Sequence, residues 1–133
     1  KERKLRLPAG GVAISPATDF TLTSQALKSL YDLIISSRTM PEFRERSLRD
    51  SDPRQPFASP LFGDYRGLPP LLIQLGEHEM LRDDAIRVAK KARADGVPVA
   101  LEIWPGMVHV FQIRGLPESR EAIQRIGDMV GGK

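Results

Sequence analysis

The chain has 133 residues, of which 41% are hydrophobic and 28% charged, proportions of one small globular domain rather than of a disordered tail. Its 20 Lys and Arg against 17 Asp and Glu leave a charge of +3, scattered without a basic stripe interleaved with aromatics, which argues against nucleic-acid binding. There is no Cys, so disulfides, thiolate nucleophiles and cysteine metal sites are excluded, and no apolar run approaches the ~20 residues of a membrane span.

Residues 1–6 are charged and read as a helix end or a surface tail. Leu7-Pro8-Ala9-Gly10-Gly11 is a break, and Val12-Ala13-Ile14-Ser15 before Pro16 reads as a short strand. Its lack of polar alternation suits a parallel sheet covered on both faces. Thr23 or Ser24 is placed to cap a helix through Leu27, Leu30, Tyr31 and Ile34, whose spacing makes one apolar face and which ends at Ser36-Ser37-Arg38. Thr39-Met40-Pro41-Glu42 has capping-box spacing with Pro in the first turn, predicting a short helix over 41–48. Residues 50–70 form a long connection rich in Pro, Asp, Ser and Gly. With Phe57, Leu61, Phe62 and Tyr65 in it, this loop is expected to pack across the domain surface.

Leu71-Leu72-Ile73-Gln74-Leu75 is a second apolar strand and runs into Gly76-Glu77-His78-Glu79. Residues 82–95 give the clearest helix, with Ala85, Val88, Ala89 and Ala92 on one face. Asp83 and Asp84 lie at its positive end, and Lys90, Lys91 and Arg93 near its negative end. Gly96 stops it. A third strand over 97–103 leads into Trp104-Pro105-Gly106-Met107-Val108-His109-Val110-Phe111, and a helix over 117–130 closes the chain, with Ala122, Ile126 and Met129 or Val130 inward. Gly131-Gly132-Lys133 is expected to fray.

Strand, helix and strand over 71–103 make a right-handed parallel crossover, and the whole reads as an α/β layer. Two strands each deliver an ionisable residue just past their carboxyl ends, the edge where open α/β sheets build sites. A His and a carboxylate brought together there form a base and its orienter, and such a pair needs a nucleophile. No Gly-x-Ser-x-Gly occurs in the sequence. Ser15 follows a strand, but Pro16 after it offers no N–H and no helix start. Two His without Cys give no ligand spacing for a metal, His78 reads as a rim residue, and Gly10-Gly11 precedes a strand rather than the helix a phosphate loop requires.

In this order and spacing, several segments together resemble the C-terminal part of an α/β-hydrolase, most nearly the hormone-sensitive-lipase-like, bacterial family IV carboxylesterases. They are Leu7 through Pro16, Asp52-Pro53-Arg54-Gln55-Pro56-Phe57-Ala58-Ser59-Pro60-Leu61-Phe62, Gly67 through Gly76, Glu79-Met80-Leu81-Arg82-Asp83-Asp84, and Trp104 through Phe111. The resemblance implies a three-layer α/β/α fold with parallel strands, residues 1–133 forming one partial domain and residues 19–50 helping to wall an acyl pocket. It implies that His109 is the catalytic base. Many relatives carry Asp at the place of His78; that Asp is absent here, and counting back from Asp83-Asp84 the resemblance puts the acid at Glu79. Asp83 and Asp84 are read as helix-start residues, with a nearby Asp left open as the acid.

The implied activity is hydrolysis of short- to medium-chain acyl esters, with no cofactor and no metal. This chain would carry the His and the acid but not the nucleophile or the oxyanion loop, and so be inactive alone. The rival reading is a non-catalytic α/β module, either a truncated product or a partner-dependent subunit. The implied partners are a small-molecule ester and the N-terminal half of the fold, with no nucleic acid and no membrane span. Pairing of two complete molecules along the edge of the third strand is a further expectation. The sequence starts in charged residues without Met, so its true start is expected elsewhere; with no secretory signal pattern and no Cys, the expected compartment is cytoplasmic.

Overall fold

The computed structural model describes residues 6–29, 31–36 and 38–131. The expectations for residues 1–5, Leu30, Ser37 and 132–133 lie outside the described residues. The elements in order are β1 (Gly11–Ile14), α1 (Ala26–Ser29), α2 (Thr39–Leu48), β2 (Leu71–Gly76), α3 (Arg82–Ala94), β3 (Val99–Trp104) and α4 (Pro117–Gly131). The sheet is parallel throughout, in the order β1-β2-β3, with Gly11 opposite Leu71 and Leu71 opposite Val99.

Alternation along β2 explains the layers. Ile73 and Leu75 point to one face and pack with Ala85, Val88 and Ala89 of α3, the apolar face set by the i, i+3, i+4 spacing. Gln74 points to the other face, where its amide donates to the carbonyl of Ala122 in α4 at 3.0 Å. Helices therefore cover opposite faces of the sheet. The architecture is the expected α/β layer, a parallel three-stranded sheet between α3 and α4. Gln74 is fully buried, and it is satisfied there by Ala122, by the Glu102 carboxylate at 2.9 Å and by the Gln112 amide at 3.2 Å.

The third strand and the last helix agree with expectation to within two residues. Along α4, Ala122 is fully buried and Val130 is 73% exposed, so the inward choice at the end is Met129, whose side chain lies against Gly10. β1 departs from the expected two-sided cover. Val12 and Ile14 share a face with Leu72 and Gln74, yet both remain over a third exposed.

The largest difference lies in the excursion between β1 and β2. The helix expected through Tyr31 and Ile34 stops at Ser29, and Tyr31, Leu33 and Ile34 are exposed. The reason is Asp32. Its buried carboxylate accepts the N–H groups of Ile34 at 2.8 Å and Ile35 at 2.9 Å, an Asx-type turn that competes with helical bonding. Its second oxygen accepts the N–H of Met80 at 3.0 Å, pinning the turn beside the loop after β2. α2 starts at Thr39, and no side chain caps it; the Thr39 hydroxyl instead accepts the Ser36 N–H at 3.2 Å. The expected capping box is therefore not formed.

The excursion has its own apolar cluster of Phe20, Ile35, Met40, Met80 and Leu81. Of the long connection, Leu61, Phe62 and Tyr65 are half-buried as expected, but Phe57 is 83% exposed, on a stretch folded by local turns in which the Gln55 N–H donates to the Asp52 carbonyl and the Ala58 N–H to that of Gln55. Ser59 is fully buried and accepts the Phe20 N–H at 2.8 Å, while the Leu61 N–H reaches the Thr18 carbonyl at 3.0 Å.

The start of α3 holds the beginning of this excursion. Asp84 accepts the N–H groups of Thr18 at 2.9 Å and Asp19 at 3.0 Å, and Asp83 accepts that of Ala26 at 2.8 Å. Asp19 pairs with Arg87 at 2.7 Å. Burial pushes the Asp19 carboxyl up, but hydrogen bonds from Thr21, Thr23 and Arg87 outweigh it and hold the group below its ordinary value. At Asp84 burial wins over its two N–H donors and pushes the carboxyl from 3.8 up to about 6.

Folding therefore favours protonated Asp84, so its contribution is most favourable below the ordinary value and falls as pH rises through about 6. A raise of this size corresponds to ~3 kcal/mol. Asp84→Asn keeps an acceptor for Thr18 and Asp19 and removes the charge. The variant should gain stability relative to the parent between pH 4 and pH 7, by up to ~3 kcal/mol, in denaturant titrations at the two pH values. A parent-minus-variant difference that does not change with pH would refute this account of Asp84.

Candidate active site

β2 ends at Gly76, and the chain turns through Glu77 and His78 to Glu79 before α3 begins. Two backbone bonds tie this turn to the loop after β3. The Glu77 N–H donates to the Trp104 carbonyl at 2.9 Å, and the His78 N–H to that of Met107 at 3.1 Å. Gly76 is required by this close approach: a Cβ there would stand 2.2 Å from the Met107 carbonyl oxygen. On the other loop Pro105 and Gly106 break β3, with Gly106 at a φ of 70°. Its N–H is held by Glu77 Oε2 at 3.0 Å. The chain then reaches His109 and Val110 and enters a short 3₁₀ turn, Phe111–Arg114. Phe111 is fully buried against Trp104, ring centroids 5.4 Å apart, and anchors the far side of the loop.

These two loops bring Glu79 and His109 together. His109 Nδ1 lies 3.0 Å from Glu79 Oε2, with the Glu79 side chain fully buried and that of His109 19% exposed. An ionised carboxylate only accepts, so Nδ1 carries the proton and Nε2 is the nitrogen available for proton exchange. Glu79 Oε1 accepts the Gly76 N–H and the Ser15 hydroxyl, the latter at 2.7 Å. A buried carboxylate is expensive without partners, and this one has three.

The other sequence candidates fall elsewhere. Asp83 and Asp84 are spent on the backbone of the excursion and do not meet the imidazole. The His78 side chain is 60% exposed, 3.9 Å from Glu77. Among the described residues no group of three or more His, Cys, Asp or Glu is placed to hold a metal ion, and no helix is long and apolar enough to cross a membrane. Pro16 after Ser15 offers no N–H and no helix start, which speaks against a nucleophile there. The contact of Ser15 with Glu79 spans 64 residues of sequence and had no local signal.

Several hollows open among the described residues. One of about 410 Å³ is lined by residues 31–36 and Met80, the residue after Glu79. A larger one of about 550 Å³ lies between α4 and the opposite, amino-terminal ends of β2 and β3, away from the His–Glu pair.

The parallel sheet and its helices have counterparts among known proteins. A family model described as the alpha/beta hydrolase fold matches residues 1–113. An acetyl-hydrolase of Streptomyces hygroscopicus is 42% identical over 125 residues, covering 91% of this chain and 42% of that protein. An esterase of Acinetobacter venetianus is 35% identical over 133 residues, covering 96% of this chain and 44% of that protein. The solved structure of a hormone-sensitive lipase from a metagenome library superposes with a TM-score of 0.95 at 36% identity, covering 98% of this chain and 46% of that one. The chain belongs to the α/β-hydrolase fold family, in its hormone-sensitive-lipase-like group. It spans less than half the length of these relatives.

Because a methyl group at residue 76 meets backbone and not a movable side-chain tip, Gly76→Ala must push the two site loops apart. It should destabilise the chain by ~1–3 kcal/mol. Gly127→Ala, in open space on α4, should instead stabilise by ~0.5–1 kcal/mol. Denaturant midpoints of the two variants measured side by side test the contrast. A Gly76→Ala chain as stable as the parent would show that the loops do not need this approach.

Proposed function

We propose that these residues are the His- and acid-bearing part of a serine carboxylesterase acting on short- to medium-chain acyl esters. The Glu79–His109 pair at the ends of neighbouring parallel strands is the observation that carries the reading. His109 Nε2 takes the proton of a nucleophilic Ser as that oxygen attacks the ester carbonyl, then returns it to the departing alcohol. Glu79 keeps the imidazole in the Nδ1–H tautomer and stabilises its cationic form.

The Ser and the oxyanion donors come from a further part of the fold, in keeping with the absence of Gly-x-Ser-x-Gly here and with the share of the relatives that the chain spans. Residues 1–133 are then one partial domain. Residues 19–50 wall the acyl pocket, a role supported by the 410 Å³ hollow of residues 31–36 beside Met80. The implied partners are the ester and the nucleophile-bearing part of the fold.

The test is to fuse the chain behind the upstream part of the Acinetobacter venetianus esterase and assay p-nitrophenyl acetate and butyrate. The fusion should turn over both esters, and the 133 residues alone neither. His109→Ala and Glu79→Gln in the fusion should each lower kcat by about 10⁴-fold, since triad members act as a unit. A folded fusion whose activity survives His109→Ala would remove His109 from the mechanism.

The same reading makes an association prediction. β1 is a sheet edge, and Val12 and Ile14 on it are exposed. Unpaired edges with apolar flanks pair with other chains. In sedimentation the 133 residues alone should self-associate, and the fusion should lose the β1-mediated part of that association. A compact, cooperatively unfolding monomer would show that the three strands suffice by themselves and would count against the partial-domain reading.

A further inference from the structure

One hydroxyl joins the exits of all three strands. Ser15 follows β1, Glu79 follows β2 and Val110 follows β3. The Ser15 side chain is buried, its N–H continues the ladder to the Gln74 carbonyl at 2.8 Å, and its φ is 45°. A non-glycine residue in that region is uncommon and is kept only where its surroundings fix it. Val110 stands in the same region, with φ 50°. The Val110 N–H donates to Ser15 Oγ at 3.1 Å, and Ser15 Oγ lies 2.7 Å from Glu79 Oε1.

The direction of this relay is forced. An amide N–H can only donate and an ionised carboxylate can only accept, so the Ser15 proton must point at Glu79. Together with the Gly76 N–H this fills Oε1 and leaves Oε2 alone to meet His109 Nδ1. Without the hydroxyl, Oε1 keeps only the Gly76 N–H, and the carboxylate is held less firmly against rotation about its last bond. The Val110 N–H, next in sequence to His109, loses its acceptor in the same step.

We infer that Ser15 is a positioning residue: it sets the rotation of the Glu79 carboxylate and anchors the His109 loop through Val110, and it does not touch substrate. This rests on reading Glu79 and His109 as the acid and base of the hydrolase.

The experiment uses the fusion described above with Ser15→Ala and Ser15→Gly, both lacking the hydroxyl. Gly also relieves the left-handed backbone, so the pair separates loss of the hydroxyl from strain at residue 15. Both variants should lower kcat by about tenfold to a hundredfold, the scale of a misplaced catalytic group, with KM within about twofold. With histidines isotope-labelled, the parent should show a downfield, exchange-protected His109 Nδ1–H proton signal, and both variants should lose or broaden it. Unchanged kcat and signal in both variants overturn the inference. So does recovery in Ser15→Gly of what Ser15→Ala loses, which would make residue 15 a matter of backbone conformation only. If the parent fusion hydrolyses no ester, the esterase reading fails, while the Nδ1–H signal still decides whether Ser15 holds the pair.

Discussion

The Glu79 carboxylate is fully buried, and the arrangement of the site follows from satisfying it. A charge removed from water is tolerated only with hydrogen-bond partners in place. Here the three come from Ser15, Gly76 and His109, one at each strand exit. No single loop could supply all three at a helix start, so β1, β2 and β3 must be in register for the carboxylate to be buried at all. The parallel ladder, with Ile14 opposite Gln74 and Gly76 opposite Trp104, is what brings those exits level.

The same logic, applied to backbone groups, organises the excursion between β1 and β2. That segment is mostly neither helix nor strand, so its N–H groups lack regular partners, and buried ones must find others. Carboxylates provide them: Asp84 for Thr18 and Asp19, Asp83 for Ala26, Asp32 for Ile34, Ile35 and Met80. Two of these acids open α3, where the helix dipole also favours them. The residues that start the helix after Glu79 thus hold the strip of chain beside the candidate site. Asp84 does so while partly protonated near pH 6, with one carboxyl oxygen unpartnered among the described residues.

Beneath the site the packing is split by chemistry. The α3 face of the sheet is aliphatic, built from Ile73, Leu75, Ala85, Val88 and Ala89. The α4 face carries a polar layer in which Gln74, Gln112, Glu102 and Arg125 are linked by hydrogen bonds. Trp104 and Phe111 with Ala122 close that side and hold the 3₁₀ turn that follows His109. The aliphatic side supplies burial and the polar side supplies direction, since each hydrogen bond fixes one orientation of its side chain.

Periodicity alone placed β2, α3, β3 and α4 to within about two residues, because each buries a face whose spacing is written locally. Motif order placed Glu79 and His109 on adjacent loops, since the ends of parallel strands converge whatever lies between them. Local reading failed between residues 19 and 38. The apolar spacing through Tyr31 and Ile34 described a helix, but Asp32 gives its carboxylate to nearby N–H groups and to Met80, 48 residues away, and those side chains face solvent. The positions of Ser15 and Asp84 were equally hidden. A serine after a strand and an acid in a first helical turn look the same whether or not a distant partner exists. Outside residues 19–38, local sequence determined which segments are regular. The tertiary structure decided which polar side chains meet, because hydrogen bonds across 64 or 66 residues form only after the sheet has brought the strand exits together.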